Sequence, residues 1–168
     1  MLRPATDADL PAMLAWRNQR ANRLASLTQH VISAEEHAAW WARTGGDPSR
    51  RVLIFSHAER PLGVVTFGDI TDREASWGFY LDHESTTADG IALLAWTGVM
   101  REAVGYAFAE PPDGLGVERL TGEVLAENEA VRAMNRRFGF TEQTPRIRPV
   151  GGALREVVPI SRQREGAR

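Results

Sequence analysis

Apolar positions change rhythm along this chain, and the changes mark its elements. Leu10, Met13, Leu14 and Arg17 fall at helical spacing behind Thr6-Asp7-Ala8-Asp9, which reads as an N-cap with acidic residues in the first turn. Met1 to Pro4 reads as a short first strand. Ser33 followed by Glu36 is a capping-box pattern. The helix it opens carries His37, Trp40 and Trp41, and Gly45-Gly46-Asp47-Pro48-Ser49 ends it in a loop. The rhythm then shortens. Residues 51–56, 62–67 and 75–81 are β-rich runs separated by turns at 57–61 and 68–74, an antiparallel meander. Residues 83–89 are polar and read as a loop. From Gly90, residues Ile91, Leu94, Ala95, Val99, Ala103, Tyr106 and Ala107 return to helical spacing.

The last third repeats strand and helix. A Pro/Gly-rich connection at 110–116 leads to a strand at 119–125. A helix over 128–137 ends at Gly139. Two strands, 140–150 and 154–160, are joined by Gly151-Gly152, a two-residue turn signal. The tail after Ser161 is polar and is expected to fray. This order predicts an α+β or mixed α/β sheet with helices on both faces.

Composition narrows the chemistry. At 168 residues with 43% hydrophobic content, the chain has one domain's worth of core. The net charge of −2 gives no bulk attraction to nucleic acid or to an anionic membrane. The absence of cysteine removes disulfides, a thiol nucleophile and cysteine–zinc sites. The four histidines, His30, His37, His57 and His83, have no metal spacing. No apolar run reaches the ~20 residues that span a bilayer. The N-terminus lacks a signal-peptide pattern, so a cytoplasmic location is expected. All 20 basic residues are arginine.

Gly90 sits where the polar stretch meets the long helix. One reading is an ordinary strand-to-helix turn. The other is an anion site, because a residue without Cβ lets a ligand approach, and a helix N-terminus offers free N–H groups and a positive dipole end.

With these residues in place, the chain resembles the GNAT acetyltransferase superfamily. The resemblance rests on Thr87-Ala88-Asp89-Gly90-Ile91-Ala92, similar to that family's pyrophosphate-binding loop. It also rests on the segment from Asn128 through Ala130 to Asn135, Arg137, Phe138-Gly139-Phe140, similar to its Asn-x-x-Ala…Gly-Phe segment. It implies a single-domain acyl-CoA N-acyltransferase fold, a mostly antiparallel twisted sheet with a splayed strand pair. Residues 1–50 would supply acceptor-side helices, 51–140 the acetyl-CoA-binding core, 141–161 a C-terminal hairpin and 162–168 a tail. The co-substrate implied is acetyl-CoA, without a metal. Three positions depart from the pattern: Thr87 replaces a basic or amide residue, Asp89 puts a negative charge in the loop, and Asn135 stands where many members have a tyrosine acid. Trp16-Arg17-Asn18, then Ser33-Ala34-Glu35-Glu36-His37 and Trp40, resemble a branch with two groups. The PseH type acetylates amino sugars on nucleotides, and the RimJ/RimL type acetylates protein N-termini. Trp77-Gly78-Phe79-Tyr80 is closer to the former.

The resemblance also implies roles. A backbone N–H at the end of the splayed strand, among Tyr80, Leu81 and Asp82, would bind the thioester oxygen. Gly90 and Ala92 would offer amides to the pyrophosphate. Asn128 would bond the pantetheine arm as well as cap its helix, and Arg137 would lie near the adenosine 3′-phosphate. Glu123 is the first candidate base, directly or through water; a solvated strand carboxylate is the alternative. Tyr80 or Tyr106 could act as acid, or simply pack. Arg17, Asn18, His37 and Trp40 could line the acceptor pocket, with burial of Trp40 in the core as the alternative.

One magnitude bears on the acceptor. Freeing a lysine lone pair at pH 7 costs roughly 4–5 kcal/mol, whereas an amine with a pKa near ~8 costs only ~1–1.5 kcal/mol. With no strong base in view, a low-pKa amine is favoured. That covers an amino sugar or a protein N-terminus alike; the resemblance to the sugar enzymes implies an amino sugar as acceptor, nucleotide-linked and of the UDP-4-amino-4,6-dideoxy type. A protein N-terminal acetyltransferase and a non-catalytic acyl-CoA-binding module are the alternatives. The oligomeric expectation is a monomer or a homodimer.

Overall fold

The structure is a computed structural model that describes residues 1–166. Among these residues, eight strands form one sheet and six α-helices cover it. The elements run β1 (Leu2–Pro4), a 3-10 turn (Asp7–Asp9), α1 (Leu10–Asn18), α2 (Arg20–Ala25), α3 (Ala34–Gly45), β2 (Arg51–His57), β3 (Arg60–Gly68) and β4 (Glu74–Leu81). They continue through α4 (His83–Ala88), α5 (Ala92–Phe108), β5 (Arg119–Leu125), α6 (Glu129–Arg137), β6 (Thr141–Glu142), β7 (Arg146–Val150) and β8 (Ala153–Gln163). The sheet order is β1-β2-β3-β4-β5-β8-β6, with β7 also on β8.

Every strand pair is antiparallel except β4–β5, which is parallel. That pair holds only over Glu74–Ser76 against Arg119–Thr121. Beyond it the two strands part: β4 stays with β3 and β5 stays with β8. Helix α5 packs the larger core against one face, with Phe55, Phe67, Val99, Leu120 and Ile160. On the opposite face Met13 and Trp16 of α1 pack on Ile54 and Val64, joined by Trp40, Trp41 and Tyr80. A third cluster on that second face joins Leu125, Val150 and Val157 to Leu27.

Several local expectations change. Residues 83–88 are helical, not a loop. Asp82 accepts from the Ser85 N–H (3.2 Å), and Gln19 Oε1 takes the His83 N–H (2.7 Å). These caps satisfy donors that a polar run would otherwise leave to water. The expected 140–150 strand is broken into β6 and β7. Its hairpin turn does lie at Gly151-Gly152, whose φ values of +59° and +82° only glycine takes easily. The chain past Ser161 does not fray: β8 runs to Gln163, and the Arg164 N–H donates to Glu118 O (2.8 Å). Residues 167 and 168 of the expected tail lie outside the described residues. Ser33 caps α3 as expected, but the Glu36 carboxylate turns to His30 (2.9 Å) instead of closing the capping box.

Asp9 ties β1 to the start of α1. Its carboxylate takes Arg3 at 2.7 and 2.8 Å and the Thr6 N–H at 2.8 Å. The Arg3 hydrogen bonds pull its pKa down to about 2. A carboxyl lowered in the folded state adds stability above its unfolded pKa and loses it as pH falls through the folded value. Urea unfolding should therefore show a stability term present at pH 5 and lost between about pH 4 and pH 2. Asp9→Asn should flatten that segment of the pH profile; an unchanged slope would contradict the clamp.

Candidate active site

The parting of β4 and β5 opens a cavity of about 580 Å³ through the sheet. Its lining includes Trp77 to Leu81 of β4, Gly122 to Val124 of β5, Ala92, Leu93 and Trp96 of α5, and Asn135 of α6. Strand alternation sorts these by face. Trp77, Phe79 and Leu81 lie toward α5, and Trp77 stacks on Phe79 and Phe140 with centroids 5.6 Å apart. Tyr80 lies on the α1 face. Glu123 shares its face with Leu125, which packs on Leu27 from the α1–α2 side. Two mouths follow, one on each face of the sheet.

The mouth on the α5 face carries positive potential. No side chain caps the first turn of α5, so the amides of Ala92, Leu93 and Leu94 point outward unpaired. Gly90 is not part of that turn. Its N–H donates to Thr87 O (3.1 Å), and the Ile91 N–H donates to Thr86 O (2.9 Å). Those two bonds form a Schellman cap on α4, and φ of +70° explains the glycine. Thr87 and Ala88 thus close α4, and the Gly90 amide expected to meet a phosphate is already spent. Asp89 pairs with Arg60 of β3 at 2.5 Å, which balances its charge. Arg60 lies 29 residues away, too far for any local pattern to announce the pair.

Inside the gap, β4 keeps donors free. The Asp82 N–H donates to Leu62 O at 2.7 Å, and the antiparallel ladder alternates from there. Tyr80 and Asp82 therefore spend their amides on β3, while Phe79 and Leu81 turn theirs toward the space that β5 has left. The Leu81 carbonyl accepts from Asn22 Nδ2 (2.7 Å), and the same amide group donates to Trp16 O (2.7 Å). Asn22, with Ala21, Ala25 and Ser26, brings α2 to the cavity wall. An asparagine bridging two backbones has no signature in one chain.

The other expected residues divide. Asn135 is buried and lines the cavity, its amide without a side-chain hydrogen bond among the described residues. Asn128 caps α6, accepting from the Val131 N–H (3.3 Å). Glu142 and Glu129 hold Arg132 and Arg136, which leaves Arg137 exposed without an ion pair among the described residues. Burial pushes the Tyr80 phenol well above its usual range, against the pull of Arg17, so it stays protonated. Tyr106 packs tilted against Phe67 in the core, 5.6 Å between centroids, and does not line the cavity.

Arg17, Asn18, His37 and Trp40 do not line the cavity. Both ends of the Asn18 amide hold the Ile32 backbone, at 2.8 and 2.9 Å, so it pins a loop instead of offering a ligand. Arg17 donates to Thr28 O (2.8 Å) and leaves Nη1 buried without a partner. His37 is buried against Trp40 (5.3 Å), its Nε2 unpartnered, and burial lowers its pKa so that it is neutral at pH 7. Glu123 is held by Arg146 (2.7 Å) and by Arg148. One guanidinium on each carboxylate oxygen competes with an acceptor amine for the same group.

Residues 1–141 match the model of the acetyltransferase (GNAT) domain, so the chain belongs to the GNAT acetyltransferase family, whose donor is acetyl-CoA. Acetyltransferase PseH of Campylobacter jejuni subsp. jejuni serotype O:23/36 (strain 81-176) is 23% identical over 133 residues, 79% of this chain and 77% of that one. Among solved structures, spermidine N-acetyltransferase from Vibrio cholerae in complex with CoA and spermine superposes with a TM-score of 0.82 at 19% identity, covering 97% and 94% of the two chains. Campylobacter jejuni N-acetyltransferase PseH superposes at 0.68 and 17%, covering 98% of each. These superpositions establish the shared fold. The uncapped α5 turn beside the cavity suits the donor's diphosphate.

Leu93 is 64% exposed in that first turn, so a charge placed there faces the mouth. Leu93→Glu should raise the KM for acetyl-CoA ~5- to 30-fold, the equivalent of ~1–2 kcal/mol. The melting temperature should hold or rise slightly, because an acidic residue suits a helix N-terminus. Steady-state kinetics and a thermal melt check both halves.

Proposed function

We propose that this GNAT acetyltransferase acetylates the amine of a nucleotide-linked amino sugar. One observation carries the reading: Glu123 is the one carboxylate among the cavity-lining residues, and two arginines already neutralise it. A polycationic acceptor would find no free counter-charge there, and no unencumbered base waits to strip a lysine-like ammonium. An amine that is partly neutral at pH 7 needs neither. The resemblance of Trp77-Gly78-Phe79-Tyr80 to the amino-sugar type and the 23% match to acetyltransferase PseH support the same reading.

Bound acetyl-CoA supplies an acetyl thioester at the gap. The amides of Ala92 and its two successors hold the diphosphate, Arg137 the 3′-phosphate, and Asn128 the pantetheine arm. The Leu81 N–H polarises the thioester carbonyl, because its strand partner has moved away. The acceptor nitrogen forms the new C–N bond, the C–S bond breaks, and the nitrogen's extra proton leaves to water. Asn135 donates a hydrogen bond to the departing sulfur without giving up a proton. A thiol of pKa ~8.5 departs readily as thiolate, so an amide can stand where a phenol would otherwise be. Tyr80, protonated but turned to the α1 face, serves as packing under this scheme.

Coenzyme A release should be seen with a UDP-linked 4-amino-4,6-dideoxy sugar and be at least tenfold weaker, in kcat/KM, with spermidine or peptides. The rate should rise with pH along the acceptor amine's own titration. Turnover with spermidine or a peptide alone would overturn the assignment.

A further inference from the structure

On the α1 face, the rim of the gap carries more arginine than carboxylate. In β7, Arg146, Arg148 and Val150 alternate onto one face, and Val150 packs there with Leu125, Val157 and Leu27. Arg155 of β8 stands directly opposite Arg148 in the ladder. Like charges directly opposite cost stability. Glu123 takes Arg146 and Arg148, and Glu127 takes Arg155. Three guanidiniums thus meet two carboxylates, a surplus of one positive charge beside the cavity. Glu123 is only 19% exposed, whereas Arg146 and Arg148 are 59% and 46% exposed, so both keep N–H groups for a ligand.

We propose that Arg146 and Arg148, held in position by Glu123, bind the phosphate groups of the acceptor. This rests on the acceptor being phosphate-bearing, as in the proposed function. The ligand is not the donor's diphosphate: the uncapped end of α5 lies on the opposite face of the sheet. Donor and acceptor enter by separate mouths and meet in the gap. Glu123 acts through the arginines, as a positioning residue. A guanidinium fork suits two phosphate oxygens where a point charge does not.

The test uses the full chain loaded with coenzyme A. Calorimetry with UDP and with inorganic pyrophosphate should detect binding to the wild type. Arg146→Gln and Arg148→Gln should each weaken it about tenfold or more. Arg148→Lys should recover only part of the loss. In turnover, the KM for a UDP-linked amino sugar should rise by a similar factor, with the KM for acetyl-CoA and the KM for the same sugar without phosphate unchanged. Melting temperatures identify any variant that fails to fold, and the second arginine variant then carries the test. If the wild type turns over no amino-sugar nucleotide yet binds pyrophosphate through these arginines, the amino-sugar reading falls and this one stands. Unchanged binding in both variants, or UDP that competes with coenzyme A, overturns it.

Discussion

The three-residue pairing between β4 and β5 is the constraint on which the rest depends. A parallel ladder that stops at Ser76 and Thr121 leaves two strands with nothing between them. Each strand stays in register because its other edge is fully bonded, β4 to β3 and β5 to β8. The gap therefore forms without unravelling the sheet. The aromatic stack of Trp77 on Phe79 and Phe140 fills its flank on the α5 side. Backbone donors that a closed sheet would consume are left pointing into a cavity, where a carbonyl can use them.

Around that gap the charges are arranged by face. The α5 side presents helix amides and the Arg60–Asp89 pair; the α1 side presents Glu123 under two arginines. Among the described residues that line the cavity, the one carboxylate, Glu123, is paired. In the proposed reading, donor and acceptor enter from opposite faces and meet only at their reactive ends. The helix tip and the guanidiniums are fixed by the fold beforehand, so little reorganisation is needed on binding.

Positions are held by residues whose polar groups are already used up. Gln19 joins α1 to the start of α4, with Nε2 on Asp82 Oδ1 (2.8 Å) and Oε1 on the His83 N–H. Burial alone would raise the Asp82 carboxyl; hydrogen bonds from Ser85 and Gln19 outweigh it and hold it below the usual range. Asn18 anchors the chain at Ile32, and Asn22 fixes the Leu81 carbonyl. A polar residue in such a place is spent on architecture, which is why Asn18 gives nothing to a ligand.

Local rules made much of this legible in the sequence. Helical spacing located α1, α3, α5 and α6; β-rich runs located the meander; Ser33, Asn128 and Gly151-Gly152 announced two caps and a turn. The motif order around Gly90 and Asn128 was enough to place the chain in its family. What the sequence misread were matters of partnership. Six polar residues look like a loop until Asp82 and Gln19 supply caps. Glu123 looks like a lone strand carboxylate until Arg146 and Arg148, more than 20 positions away, close on it. Periodicity and capping depend on neighbours within a turn or two, so one chain written out suffices to find them. Where a strand pair stops, which amides are left free and which charges cancel depend on residues brought together from distant positions, and only the folded chain decides that.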